Sequence, residues 1–160
     1  MPDAWLDIVA RLALSAVVGA AVGLNRDLHH KQAGVRTNAL VSLGAALAVL
    51  LVYPPGEDPA RHADALSRVI QGVLTGIGFL GAGVILRDPA SRHVSGLTTA
   101  AAVWLSALLG TAAGMGAYAP VVVAFVLALL VIVGGGRLER WFRRRFQPPV
   151  KEQAPDDKDF

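Results

Sequence analysis

The sequence predicts an all-α fold: a polytopic membrane protein with five transmembrane helices, N-terminus outside and C-terminus cytoplasmic. Three observations predict it. Hydrophobic residues make up 54% of the 160 residues and charged residues 17%, where a soluble domain carries about a quarter charged. Long stretches contain no Asp, Glu, Lys or Arg. Lys and Arg gather on alternate connections between those stretches. With aromatics at 6% and 17 glycines, the profile is that of closely packed lipid-spanning helices.

A spanning helix needs about 20 apolar residues. The first is predicted over 5–25. Its charge-free run, Leu12–Asn25, is short alone and reaches spanning length only when extended back to Trp5. The extension takes in Asp7 and Arg11, which lie four apart on one helix face and can pair near the interface. A cleaved signal peptide fits poorly, since its leading segment is positive and here Asp3 and Asp7 precede Arg11. The second helix is predicted over 37–54, closed by Pro54-Pro55-Gly56, and the third over 69–87, between Arg68 and Arg87. Val94–Gly136 then runs 43 residues without a formal charge, about 65 Å as helix and twice the hydrocarbon thickness. Gly114, Gly116 and Pro120 supply the break, giving helices over 97–115 and 119–137. Residues 138–160 are left as a basic juxtamembrane segment, with Trp141, Phe142 and Phe146 as interfacial anchors, and a Pro-rich disordered tail. No soluble domain is expected beside the transmembrane domain of residues 1–137.

An odd number of helices puts loops 25–36 and 87–96 on the same side as the C-terminal tail. Twelve of the fifteen Lys and Arg lie there, leaving Arg11, Arg61 and Arg68 opposite. The positive-inside rule makes the rich side cytoplasmic. The pI near 9.8 thus reflects helix ends and a tail, not a basic folded face, and nucleic acid is excluded as a partner.

The same parity gathers four polar clusters at one membrane surface. Asn25, Arg26 and Asp27 end the first helix, and Arg36, Thr37 and Asn38 open the second. Arg87 and Asp88 end the third, and Ser95, Thr98 and Thr99 open the fourth. Capping and snorkelling account for many of these residues singly. The density of polar groups on both loops also fits a functional surface. In the third helix, Gly76, Gly78 and Gly81 match the dinucleotide-binding spacing G-x-G-x-x-G, but that motif needs a preceding strand and an acidic residue about 20 positions on. Gly72, Gly76, Gly78, Gly81 and Gly83 read instead as a helix-packing face. The alternative is a point where the helix breaks to line a cavity.

Other chemistry is sparse. There is no cysteine. His29-His30 has no supporting carboxylates and reads as solvated rather than metal-binding, and loop 57–68, EDPARHADALSR, reads as a solvated loop. No phosphate-binding loop, HExxH or nucleophile–base pair is present. The expectation is a non-enzyme without cofactor or metal. Four of the five predicted helices carry no ionisable group in their middle, where ion-coupled carriers usually do.

Four segments together resemble the membrane domain of the MgtC/SapB family: VGLNRD (22–27), AGVRTNALVSLGAAL (33–47), GIGFLGAGVIL (76–86) and VSGLTTAAAVWLSALLG (94–110). With the intervening spans the resemblance covers about residues 8–137. The family's first segment usually reads GLERE; Asn25 and Asp27 stand where it has Glu. The resemblance implies a protein of the bacterial inner membrane, tied to survival under magnesium limitation and acid stress and in some members to virulence. It implies action on other membrane proteins, the F-type ATP synthase among them. The best-studied members add a soluble C-terminal domain, which is not expected here. The expected function is that of a regulatory or stress-tolerance factor. It docks to other membrane proteins and to copies of itself through small-residue helix faces, with the cytoplasmic cluster setting specificity. The alternative is a magnesium transporter or channel with a glycine-broken third helix.

Overall fold

The computed structural model describes residues 2–87 and 94–146. Asp88 and the tail from 147 onward, named above, lie outside them. Five helices follow in order: α1 Pro2–Leu28, α2 Val35–Leu50, α3 Ala63–Val84, α4 Leu97–Gly114 and α5 Tyr118–Phe146. A 3₁₀ turn, Pro59–His62, leads into α3. A two-residue antiparallel pair, β1 Leu86–Arg87 with β2 Val94–Ser95, joins α3 to α4. Four helical segments are long and apolar enough to cross a membrane: Ala4–Leu28, Pro59–Val84, Leu97–Gly114 and Tyr118–Gly136. The remaining helix, α2, is apolar but has 16 residues, about 24 Å of rise.

The boundaries differ from expectation for local reasons. Helix α2 stops at Leu50, not at 54, because the residue before a proline is pushed out of helical conformation and two prolines follow at Pro54-Pro55. Helix α3 begins at Ala63, inside the segment expected to be a solvated loop. Asp58 caps the 3₁₀ turn that leads into it, accepting the Ala60 N–H at 3.0 Å, and the residues from Ala63 to Arg68 form the first turns of the helix. It ends at Val84 rather than 87 because Leu86 and Arg87 turn extended to pair with Ser95 and Val94. It is unbroken through Gly72, Gly76, Gly78, Gly81 and Gly83, so the break considered for it is absent. Helix α5 continues past 137 to Phe146; a run free of charge marks only its apolar part. Near its end Trp141, Phe142 and Phe146 cluster, with ring centroids 5.0–6.5 Å apart.

Helices α1, α2 and α4 form the core, with α3 against α4 on one flank and α5 against α4 and α1 on the other. The short α2 lies between two glycine faces. Gly19 and Gly23 of α1 bear on the backbone of Asn38 and of Gly34-Val35. Gly110 and Gly114 of α4 bear on the backbone of Ser42 and Ala46. Each pair is four residues apart, one face of a helix, the spacing that lets backbones approach in membranes. A Cβ at Gly110 would stand 2.0 Å from the Ser42 carbonyl oxygen, and one at Gly19 would stand 2.5 Å from that of Asn38. Apolar packing completes the interior: Val18, Val22, Leu109, Ala113 and Val121 join α1, α4 and α5. Ala45, Ile77, Val103 and Ala107 join α2, α3 and α4.

The turns are cut as sharply. The His30 and Lys31 N–H groups bond the Asp27 and Arg26 carbonyls while His30 sits at φ 51°, a left-handed helix stop. Helix α4 ends the same way at Gly116, φ 74°.

Candidate functional site

A polar seam runs through the α1–α2–α4 interface, beginning at the end of the bundle where α1 finishes and α2 and α4 start. Arg26, on the last turns of α1, is 5% exposed, and its guanidinium donates to the Thr99 hydroxyl in the first turn of α4. One turn further in, Asn38 of α2 is fully buried. Its amide nitrogen donates to the carbonyls of Ala33 and of Gly34, the latter at 3.0 Å, and its amide oxygen accepts from Ser106 of α4 at 2.9 Å. Ser42 and Ser15 are also fully buried; Ser15 donates to the Leu12 carbonyl. Buried polar groups are normally matched, and among the described residues three side-chain atoms find no partner: Arg26 Nε and Ser42 Oγ in the seam, and Arg11 Nε at the far end of the bundle.

The predicted surface cluster divides. Arg26 and Thr99 meet in the seam. Asp27 is exposed and caps α2, accepting the Val35 N–H at 2.9 Å. Its carboxylate fills the space beside Gly34, where a Cβ would overlap it. Asn25 is half-buried, its carbonyl 2.8 Å from His29 Nδ1, while Arg36, Thr37 and Thr98 are exposed. Thr98 lines an apolar groove between α4 and α5. Arg87 lies in β1 opposite Val94. Asn38 and Ser106 carry the seam's internal link, although at the sequence level Asn38 counts only as a capping residue and Ser106 as part of an apolar run. A polar side chain one turn inside such a run, with a partner on another helix, is the signal for them.

The five α3 glycines lie elsewhere. Among the described residues, a Cβ at Gly72, Gly76, Gly78 or Gly83 would meet nothing beyond its own stretch of helix within 4 Å, and one at Gly81 only Ala100 at 3.6 Å. The glycines that pack helices within the chain are Gly19, Gly23, Gly110 and Gly114. Gly44, Gly72 and Gly76 floor an open apolar groove of about 390 Å³ between α2 and α3, walled by Leu40, Val73 and Ile77.

The opposite end of the bundle is locked by a second polar group. The expected Asp7–Arg11 pair forms at 2.7 Å. Arg11, 7% exposed, also donates to the Gly114 carbonyl at 2.9 Å, and Tyr118 donates to Asp7 at 2.7 Å. The Arg11 guanidinium also lies 5.8 Å from the Tyr53 ring centre. Among the described residues no three His, Cys, Asp or Glu side chains gather as a metal site.

The sequence profile of the MgtC family matches residues 12–141, which takes in the seam, all of α2, α3 and α4 and most of α1 and α5. The chain belongs to the MgtC family. Among relatives, it is 40% identical to Protein SrpB of Synechococcus elongatus, across 96% of this chain and 94% of that one. It is 36% identical to Protein MgtC of Salmonella paratyphi A over 91% of this chain and 58% of that protein. It is also 36% identical to a protein of Escherichia coli named putative magnesium transporter YhiD, over 79% of this chain and 59% of that one. The chain therefore spans nearly all of SrpB and less than two thirds of MgtC and YhiD. No solved structure matches it.

Proposed function

We propose that this MgtC-family chain is a non-enzymatic regulatory or stress-tolerance factor of the bacterial inner membrane. It acts by docking to other membrane proteins, with its N-terminus outside and its C-terminus in the cytoplasm. The observation that carries the reading is the exposed face of Gly72, Gly76 and Gly83 on an unbroken α3. A small-residue face unused inside the chain is the surface on which a second membrane helix packs closely. Copies of the chain itself, or subunits such as those of the F-type ATP synthase, are the partner class.

The name of YhiD raises the second reading, a magnesium transporter. The interior speaks against it on electrostatic grounds. The seam between α1, α2 and α4 contains Arg26 and, among its described residues, no carboxylate, and an arginine there repels a divalent cation. Gly76→Leu tests docking without disturbing the fold, because the site is open. Crosslinking and copurification in mild detergent under magnesium starvation are expected to lose the partners of the native chain. Retention of every partner by the variant would overturn the proposal. Magnesium flux into liposomes carrying the purified chain would establish the transporter reading instead.

A further inference from the structure

We propose that Arg26 and the first turn of α4 form a binding site for a phosphate group, supplied by a phospholipid headgroup or by free phosphate at the membrane surface. Three observations converge there. The first is the arginine itself. It is only 5% exposed, and among the described residues its Nε has no partner and no carboxylate pairs with it. A buried cation left without a counter-charge is costly. The second is the helix start. The cap residue of α4 is Gly96, which has no side chain to offer, and the helix's first backbone bond runs from the Ala100 N–H to the Gly96 carbonyl. The N–H groups of Leu97, Thr98 and Thr99 are thus the ends of the helix that carry positive partial charge. The third is that Arg26 bonds Thr99 in that same turn. An arginine at the positive end of a helix is the reverse of the favourable arrangement. At the neighbouring helix start, α2, the carboxylate of Asp27 does the capping.

An oxyanion resolves all three. It supplies the missing counter-charge, accepts from the unmatched guanidinium donor and takes the N–H groups of the turn, in the manner of anion sites at helix N-termini. A tetrahedral phosphate suits donors arriving from a planar guanidinium, a hydroxyl and a helix turn at once. The approach is open, since Leu97 and Thr98 are both exposed. The site also lies at the end of the bundle, on the same turns of α1 as the exposed Leu24 and Leu28 of its opposite face, at the level of lipid headgroups if α1 spans the bilayer.

The test is thermal unfolding of the full chain in a neutral maltoside detergent. One arm titrates sodium phosphate against sodium chloride at matched ionic strength, and the other adds phosphatidic acid or its diacylglycerol, which differ only by the phosphate. The native chain is expected to gain about 5–10 °C in Tm at a hundredfold excess over Kd. A shift with free phosphate assigns a soluble ligand, and a shift with phosphatidic acid alone assigns a lipid. Arg26→Met is expected to abolish the shift while leaving the unligated Tm unchanged or raised, since an unpaired buried charge is gone. Arg26→Lys, which keeps the charge and loses the planar fork, is expected to weaken the midpoint about tenfold. No shift of the native chain in either arm overturns the site, as does an undiminished shift in Arg26→Met. If Arg26→Met does not fold, an unchanged midpoint in Arg26→Lys overturns it.

Discussion

Two glycine-to-alanine substitutions, both in helix interiors, are expected to change stability in opposite directions. In Gly110→Ala the new Cβ stands 2.0 Å from the Ser42 carbonyl oxygen and 2.7 Å from the Ser42 Cα. Real Cβ atoms essentially never approach closer than 3.0 Å, so α4 must retreat from α2 by about 1 Å. The obstacle is backbone on both sides, so no rotamer change relieves it. A gap of that size forfeits a quarter to a half of the dispersion contact along the interface. Overpacking usually costs about 1–3 kcal/mol, and this collision, at the centre of the α1–α2–α4 core, belongs at or above the top of that range. In Gly76→Ala the Cβ meets nothing within 4 Å, and the gain is the helix preference of alanine over glycine, about 0.5–1 kcal/mol. Reversible unfolding of the detergent-solubilised chain, followed by far-UV circular dichroism, measures both. Gly110→Ala as stable as the native chain, or Gly76→Ala destabilised by more than about 1 kcal/mol, would refute the assignment of inner and outer glycine faces.

Asn38→Ala leaves the Ser106 hydroxyl and the Ala33 carbonyl short of a partner and is expected to cost about 1–3 kcal/mol. In a double-mutant cycle with Ser106→Ala the coupling is expected near 0.6 kcal/mol, the usual size of such bonds in membrane proteins. Tyr118→Phe removes one bond to a partly exposed Asp7 and is expected to cost at most about 1 kcal/mol. Arg11→Met strips Gly114, Asp7 and the face of Tyr53 of their shared cation and is expected to cost more, with hydrogen exchange rising first at the α4–α5 turn. Gly96→Ala combines φ 90° with a Cβ 1.9 Å from the Val84 carbonyl oxygen. It is expected to cost about 1–3 kcal/mol or more in the same unfolding assay.

The seam was only partly legible in the sequence. Asn25, Arg26, Asp27, Arg36, Thr37, Arg87, Thr98 and Thr99 are conspicuous as polar residues flanking apolar runs, and helix parity assigns them one surface. Their division into a buried contact, a cap and a solvated fringe is not legible. Asp27 and Arg26 are neighbours in sequence, yet a 100° step around α1 turns one to the loop and the other into the bundle. The Asp7–Arg11 pair was legible because both partners lie on one helix, where spacing fixes proximity. Its links to Gly114 and Tyr118 cross more than a hundred residues and leave no local trace.

The amino-acid sequence alone determines that the chain is helical and apolar, in what order its helices follow, and where Gly116 and the Pro54-Pro55 pair cut them. These follow from the length of charge-free runs and from backbone sterics, which act within a few residues. Only the tertiary structure decides which glycines face inward. Gly72 and Gly76 carry the same four-residue spacing as Gly19 and Gly23 or Gly110 and Gly114, and spacing alone does not say what lies opposite. The inner face is chosen by which backbone lies opposite. Here that is the short α2, gripped from two sides, while the α3 row is left facing outward.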